Sequence, residues 1–300
     1  MERALTLIAL SAFLVVASSS LANQLYLIRP DGTGLRAITD SEKRGYGSPD
    51  WAPDGKRIAF DTWPEGGGFE TAQVAVMEIP DEGAFGEVTL LGHGAMPSWS
   101  PDGTQFVCHT YADNNQGDTP QIVIVNADGS GREAILDQWG SPRWNPDGKH
   151  IVSLYRGGLA AYDLETGRQQ MLLEGINLNF GFSISPDGSR YAFGAMSGGF
   201  GIASDDPILG GLKAVFHALA PTVRHTSWSP DGKQIVAMST EQEFGRLFLF
   251  TTDMNGPIES VPGIPEDWHC FDPDWSPDGD WIVFSAQTSA DRKIEASSDP

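Results

Sequence analysis

The chain contains little cysteine. Among its 300 residues only two are cysteine, Cys108 and Cys270. Two cysteines do not provide the disulfide framework that stabilises small secreted domains, so the fold must rest on a hydrophobic core. Cys108 and Cys270 also fall in separate, non-adjacent units of the repeat described below, and we predict that both are free thiols.

Basic residues are also scarce. The sequence has 19 Lys and Arg against 40 Asp and Glu, a formal net charge of −21. Such an acidic surface repels the phosphates of nucleic acids and the anionic headgroups of membranes, which excludes both as binding partners. Cations, basic partners and neutral sugars remain compatible with it.

Long apolar runs are missing after the N terminus. The one such run, residues 4–17, follows Arg3 and leads to Ser20 and Ala22, which fit the −3 and −1 positions of a cleavage site. We predict that residues 1–22 are a signal peptide and that the protein is exported, to the periplasm or the extracellular medium. An uncleaved membrane anchor is the alternative, but a span needs about 20 apolar residues. We expect no membrane span after cleavage.

Common catalytic motifs are absent as well. The sequence has no G-x-S-x-G elbow, no H-E-x-x-H, no paired C-x-x-C and no Walker A motif. This excludes an α/β-hydrolase domain, a zincin and a P-loop nucleotidase.

What the sequence does have is a repeated phrase, Trp-Ser-Pro-Asp-Gly, followed by a β-rich run. Six copies, three of them exact and three with one residue changed, lie at 51–60, 99–108, 144–153, 184–193, 228–237 and 275–284. Their prolines are 48, 45, 40, 44 and 47 residues apart. A period near 45 residues is typical of β-propellers with four strands per blade.

The phrase has the chemistry of a tight turn. Pro fixes φ at the first corner, Asp hydrogen-bonds the local backbone, and Gly adopts positive φ. We therefore predict that it joins two antiparallel strands, A and B, and that its Asp is structural. Between the phrases lie six further hairpins, with strands C and D, at 25–39, 73–91, 121–136, 159–173, 200–216 and 246–261.

These units predict one all-β, six-bladed propeller over residues 23–289, with four antiparallel strands per blade. The first C–D hairpin and the last A–B hairpin are each half a blade. We expect them to pair and close the ring, which protects edge strands from aggregation. Residues 290–300 carry no pattern and are predicted to form a mobile tail.

The repeat, with strands and turns such as IVNADGSG at 124–131, resembles the WD40-like (PD40) repeat of the TolB family. The resemblance extends over all six copies and nearly the whole mature chain. It implies a propeller and a scaffold role in the cell envelope, although the same blade occurs in peptidase propellers and some lyases. TolB itself carries an additional N-terminal α/β domain, whereas here the predicted signal peptide leads directly into the first strand.

The two faces of the predicted propeller differ. The A–B and C–D turns share one face, the turn face, and the divergent B–C and D–A loops share the other, the loop-rich face. Function usually resides in variable loops on a rigid scaffold, and the D–A loops approach the central channel. The candidate binding residues at this channel mouth are His93, Trp139, Arg224, His225, His269 and Asp272.

Two functional classes follow from this arrangement. The first is a monomeric, non-catalytic module that binds an envelope protein or peptide. The alternative is a channel-mouth lyase or hydrolase for a glycan or other small substrate, with His225, His269 or Arg224 as base or charge stabiliser and Asp272 as partner; a metabolite-binding sensor is a third possibility. We expect no cofactor, unless His93, His225, His269 and Asp272 converge on a divalent cation in the channel.

Overall fold

A computed structural model describes residues 23–40, 44–79, 86–111, 119–205, 211–217, 220–239, 245–289 and residue 291. The predicted signal peptide, residues 1–22, lies outside the described residues. So does the predicted tail, residues 290–300, apart from Asp291. No helix in the described ranges is long and apolar enough to cross a membrane.

The described chain forms six four-stranded antiparallel sheets, which confirms the predicted six-bladed propeller. The chain begins with β1 (Gln24–Ile28) and β2 (Arg36–Ala37). Blade I contains β3 (Arg44–Trp51), β4 (Arg57–Pro64), β5 (Gln73–Glu78) and β6 (Thr89–His93), with a short 3-10 helix at Phe69–Thr71. Blade II contains β7 (Ala95–Trp99), β8 (Gln105–His109), β9 (Ile122–Asn126) and β10 (Glu133–Leu136).

The remaining blades repeat this order. Blade III contains β11 (Arg143–Trp144), β12 (His150–Tyr155), β13 (Gly158–Asp163) and β14 (Gln169–Leu173). Blade IV contains β15 (Leu178–Ile184), β16 (Arg190–Ala195), β17 (Phe200–Asp205) and β18 (Leu212–Phe216). Blade V contains β19 (Val223–Trp228), β20 (Gln234–Ser239), β21 (Arg246–Thr251) and β22 (Glu259–Ser260), and blade VI begins with β23 (His269–Trp275) and β24 (Ile282–Gln287).

Blade VI is built from both ends of the chain. Its strand order is β2-β1-β24-β23. Strand β1 pairs with β24 in an antiparallel register in which Gln24 faces Ala286 and Ile28 faces Ile282. The first and last strands therefore share one sheet, and the hydrogen-bonded ladder leaves neither of them as an open edge.

The Trp-Ser-Pro-Asp-Gly turns have the geometry that their residues predict. In blade II, Asp102 accepts hydrogen bonds from the Ser100 hydroxyl at 2.7 Å and from the Thr104 amide at 3.0 Å. Gly103 closes the turn with a φ of 69°. The hydrogen bonds from Ser100 and then Thr104 hold the pKa of Asp102 below its ordinary value. The structural role predicted for this aspartate is confirmed.

The core consists of apolar layers between neighbouring blades. The tryptophans of the repeated phrase are buried within it. The guanidinium of Arg57 lies 4.8 Å above the ring of Trp99, and that of Arg190 lies 4.5 Å above the ring of Trp228, so cations of one blade cover aromatic rings of the next. Cys108 and Cys270 are free, as predicted, and both are buried.

Candidate functional site

The inner strand of each blade contributes two residues to the central channel. The third residue before the repeated Trp (or Ile184) forms what we call the mouth layer: Ser48, Met96, Ser141, Gly181, His225 and Asp272. The residue directly before the repeated Trp (or Ile184) forms what we call the middle layer: Asp50, Ser98, Arg143, Ser183, Ser227 and Asp274. Each layer therefore draws one residue from every blade.

The mouth layer is shaped by a repeated irregularity of the backbone. The φ angles of Ser48, Met96, Gly181 and Asp272 are 44°, 51°, 77° and 46°, all in the left-handed region. The pairing register of four inner strands shifts at these same positions. Such bulges re-aim side chains, and a non-glycine residue held there costs about 1–2 kcal/mol. This strain is concentrated at the channel mouth, which favours a functional role for it.

The centre of the mouth layer is a contact between two blades. The imidazole Nδ1 of His225, in blade V, contacts Oδ1 of Asp272, in blade VI. The other carboxylate oxygen of Asp272 accepts a hydrogen bond from the Ser48 amide of blade I at 3.1 Å. Asp272 thus holds His225 in one orientation and one tautomer, with the proton on Nδ1 and the lone pair on Nε2.

The surroundings of His225 keep its imidazole neutral. Burial, then the guanidinium charges of Arg143 and Arg224, lowers the pKa of His225 to about 3. The ring lies against Gly181, where a Cβ atom would collide with it. In a neutral imidazole with its proton on Nδ1, the lone pair on Nε2 can accept a hydrogen bond from a ligand donor at pH 7.

The middle layer links neighbouring blades. Asp274 accepts from the Trp51 amide at 2.8 Å, and Asp50 accepts from the Trp99 amide at 2.7 Å. Ser98 plays the same part with a bond of 3.2 Å from the Trp144 amide. Each of these side chains satisfies a backbone donor of the next inner strand, so the polar atoms nearest the channel axis also hold the ring together.

The middle layer places two acids against one base. An Asp50 carboxylate oxygen lies 3.6 Å from the Arg143 guanidinium, which also donates to the Pro97 carbonyl at 3.2 Å. Burial, and then the charge of Asp274, nevertheless raises the pKa of Asp50 to about 7. Burial likewise raises the pKa of Asp274. The charge of one guanidinium does not offset the cost of burying two carboxylates, so the pKa values of both acids are raised.

The two layers line cavities of very different size. The mouth-layer cavity measures about 10 Å³, which is room for about one water molecule. The middle layer lines a wider cavity of about 230 Å³ that extends to Pro146, Pro186 and Pro277 of the repeated turns. The channel is therefore narrow at the loop-rich face and wider towards the turn face.

Two of the sequence-predicted residues, His225 and Asp272, meet in the mouth cavity. Arg224 is exposed beside them on β19, where its charge acts on His225. Trp139 lies two residues before Ser141 of the mouth layer, and its ring makes an edge contact with Phe180 at a centroid distance of 5.4 Å.

The other two histidines lie elsewhere. His93 ends β6, the outermost strand of blade I, and its Nε2 lies 3.2 Å from the Glu70 carbonyl oxygen. His269 begins β23, where its ring stacks on Phe271 at a centroid distance of 4.2 Å. The sequence places His93 only two residues before the inner strand β7, which suggested a position at the channel mouth. The segment that leads to β7 starts at the outer strand β6, however, so His93 lies at the rim.

The described residues do not show the convergence of histidines that a divalent cation in the channel would need. Within the described ranges, no group of three or more His, Cys, Asp or Glu side chains is arranged to hold a metal ion. His225 and Asp272 engage each other instead.

Sequence reasoning missed Asp50, Arg143 and Asp274. The signal for them was present, because the residue directly before the repeated Trp or Ile is polar in all six copies: Asp, Ser, Arg, Ser, Ser and Asp. A polar column beside a buried aromatic column on an inner strand indicates a polar channel lining.

Comparison with known proteins agrees with this architecture. The chain is 28% identical over 164 residues to an uncharacterized protein of Agrobacterium fabrum, covering 51% of this chain and 53% of that protein. It is also 28% identical over 177 residues to a Tol-Pal system protein TolB of Francisella tularensis, covering 56% of this chain and 40% of that one. The chain thus matches about half, or less, of the length of these relatives.

A solved structure described as a putative TolB from Agrobacterium tumefaciens superposes with a TM-score of 0.67 at 18% identity, covering 89% of this chain and 98% of that chain. At that identity the likeness shows the fold alone. The model of a sequence family described as PD40, TolB beta propeller domain, matches residues 11–263. This protein therefore belongs to the PD40 family of TolB β-propeller domains.

Proposed function

We propose that this protein is an exported, non-catalytic propeller that binds an envelope protein or peptide at the loop-rich face, around the mouth of its channel. Family membership supports a TolB-like binding scaffold. The name of the Francisella relative places that protein in the Tol-Pal system. The N-terminal apolar run and its small-residue cleavage pattern support export to the periplasm.

The observation that carries the proposal is the form of the mouth site. It has an oriented His225–Asp272 pair and a strained backbone, but a cavity of only about 10 Å³. Ligand pockets for small molecules usually measure about 300–1,000 Å³. A polar site of so small a volume, surrounded by loops, fits a protein surface better than a glycan or metabolite.

The wider cavity is a poorer candidate for catalysis. Its volume of about 230 Å³ lies below the usual range for ligand sites. Its acids, Asp50 and Asp274, accept backbone hydrogen bonds from Trp99 and Trp51. A lyase or hydrolase that used them would sacrifice bonds between blades, so the enzymatic alternative is less well supported than binding.

The test is capture of an envelope partner by the purified protein. An envelope extract of the source cell is passed over the wild-type protein and over the double variant His225→Ala, Asp272→Asn, and bound proteins are identified by mass spectrometry. Lys149→Ala serves as the control, because Lys149 is exposed in a repeated turn on the opposite face. The captured protein is then produced separately, and its Kd is measured.

We expect a protein retained by the wild type and by Lys149→Ala, with a Kd at least tenfold weaker for the double variant. Removing a hydrogen-bonded His–Asp pair from the centre of an interface typically weakens the Kd by this factor or more. Equal retention by all three proteins, or no specific retention, would contradict the proposal.

A further inference from the structure

Exposed large apolar side chains gather in one blade. Among the described residues, five large hydrophobic side chains are exposed, and four of them belong to blade IV: Phe180, Met196, Val215 and Phe216. The fifth, Leu90, lies on the outermost strand of blade I. A concentration of this kind on an acidic protein is unusual, and such patches mark interaction sites.

Three of these side chains lie at the loop-rich end of blade IV. Phe180 is on the inner strand β15, at its bulge. Met196 follows the last residue of β16, and its amide donates to the Asn177 carbonyl at 2.7 Å. Phe216 is the last residue of the outer strand β18 and is paired with Gly201. We call Phe180, Met196 and Phe216 the blade IV stripe.

The stripe runs from the channel mouth to the rim. Inner and outer strands of a blade are three strand spacings apart, about 14 Å at 4.7–4.9 Å each. At its inner end the stripe is continuous with the mouth site, because Phe180 contacts Trp139 and is followed by Gly181, against which His225 packs. Its length matches about four residues of an extended chain.

The charge around the stripe differs from that of the whole protein. The described segments at this end of the blade, residues 177–181, 195–200, 216–217 and 220–223, contain no Asp or Glu, although Glu174 comes three residues before the first of them. The Asn179 side-chain amide donates to the Val223 carbonyl at 2.9 Å, so β15 and β19 run side by side here. The next residue, Arg224, is exposed, which puts a guanidinium beside the inner end of the stripe.

We propose that the blade IV stripe is the docking surface for an extended segment of a partner protein. That segment carries bulky apolar side chains at alternate positions and a carboxylate at the channel end. The apolar side chains cover Phe180, Met196 and Phe216, and the carboxylate pairs with Arg224. The chain as a whole is acidic, but the described segments beside the stripe carry no Asp or Glu and Arg224 lies at its inner end, so this local surface is complementary to an apolar segment that carries a carboxylate. This inference rests on the proposed function and names the chemistry of its partner.

The test uses a defined probe, a phage-displayed library of random dodecapeptides selected on the immobilised wild-type protein. Peptides that are enriched are synthesised with a fluorescent label, and their Kd is measured by anisotropy. The test variants are Met196→Glu, Phe180→Glu and Arg224→Glu. The matched controls are Leu90→Glu, an exposed apolar residue of another blade, and Arg168→Glu, an exposed arginine next to a C–D turn.

We expect the enriched peptides to share a carboxylate next to alternating bulky apolar residues. Their Kd should weaken at least tenfold in each test variant and stay within twofold of wild type in both controls. Met196→Glu is the decisive variant, because Met196 is half exposed and we therefore expect its replacement to leave the fold intact. Circular dichroism melts check this.

Three results would overturn the inference: no enriched peptide, enriched peptides that are basic, or enriched peptides whose Kd is unchanged in Met196→Glu and Arg224→Glu. If one of these occurs while the envelope partner is still lost from the His225→Ala, Asp272→Asn variant, the stripe is wrong and the proposed binding function survives. If both experiments fail, the proposed function falls as well.

Discussion

At the scale of single residues, the channel mouth depends on a glycine as much as on charged groups. Gly181 has a left-handed φ of 77° and leaves the space that the His225 ring occupies. Burial and two guanidinium groups keep that ring neutral, while Asp272 fixes its tautomer. The His225–Asp272 pair can form in this position because Gly181, on the neighbouring blade IV, has no side chain.

We predict that Gly181→Ala destabilises the protein more than Gly175→Ala does. Both glycines have a φ of 77°, but a Cβ at Gly175 meets nothing within 4 Å. Gly175→Ala should cost about 1–2 kcal/mol for the left-handed backbone, and Gly181→Ala about 1–3 kcal/mol more for the collision with His225. Urea unfolding measures both. Equal losses for the two variants would show that the His225 ring moves aside freely.

At the scale of elements, the inner strands act as a ring of linked donors and acceptors. The side chain before the repeated Trp binds the amide of the Trp in the next blade, as Asp50, Ser98 and Asp274 show. The bond from Trp51 to Asp274 joins blade I to blade VI, and Ser285 adds a bond of 3.0 Å to the Tyr46 carbonyl. Blades that are far apart in sequence are thus connected at the channel wall.

We predict that Asp274→Ala destabilises the protein more than Ser98→Ala. The first removes the acceptor of the Trp51 amide and of the Ser227 hydroxyl, at 2.8 and 2.7 Å, whereas the second removes only the acceptor of the Trp144 amide. Each buried donor left without a partner costs about 1–3 kcal/mol.

Asp274→Asn is the conservative control for this pair. Its amide oxygen still accepts from Trp51, so its free energy of unfolding should stay within about 1 kcal/mol of wild type. Free energies of unfolding from urea titrations show whether Asp274→Ala is less stable than Ser98→Ala. A stability of Asp274→Ala equal to that of wild type would mean that the ring does not depend on this bond.

At the scale of the whole molecule, the propeller buries acids inside an already acidic chain. Burial and neighbouring charge raise the pKa of Asp50 to about 7, and burial raises that of Asp61 to about 6. The turn aspartates behave in the opposite way, since hydrogen bonds from Ser185 and Ser189 hold the pKa of Asp187 at about 2. The interior and the turns therefore respond to pH in different ranges.

We predict that the protein is more stable at pH 5.5 than at pH 8. Asp50 and Asp61 have raised pKa values in the folded state and ordinary values of 3.8 when unfolded. Between about pH 4 and 7 the folded state binds more protons than the unfolded state, so its stability falls as pH rises through that window. A tenfold difference in proton affinity is worth about 1.4 kcal/mol, or about 2–4 °C in Tm.

The variant Asp50→Asn separates this effect from the general repulsion of a chain with net charge −21. Its amide does not titrate, so the difference in Tm between pH 5.5 and pH 8 should be smaller than in wild type. Differential scanning calorimetry at both pH values gives the comparison. The same pH difference in the variant would rule out Asp50 as a source of the dependence.

The sequence alone determined the fold and its period. Pro, Asp and Gly at fixed offsets dictate a turn wherever they occur, and six turns about 45 residues apart leave one architecture that buries the strands between them. It also identified His225 and Asp272 as candidates, because each lies three residues before a repeated Trp. These features depend on the local chemistry of the turns and on the spacing of the repeats, and both can be read directly from the sequence.

Which of the candidate residues meet depends on the packing of the blades around the channel. His225 and Asp272 are 47 positions apart in numbering and in different blades, and they touch because the ring brings inner strands together at the channel. His93 and His269 occupy similar places in the sequence pattern but lie at the rim and on an aromatic neighbour. The raised pKa of Asp50 and the exposed stripe of blade IV likewise arise from burial and packing, and neither is encoded by any local motif.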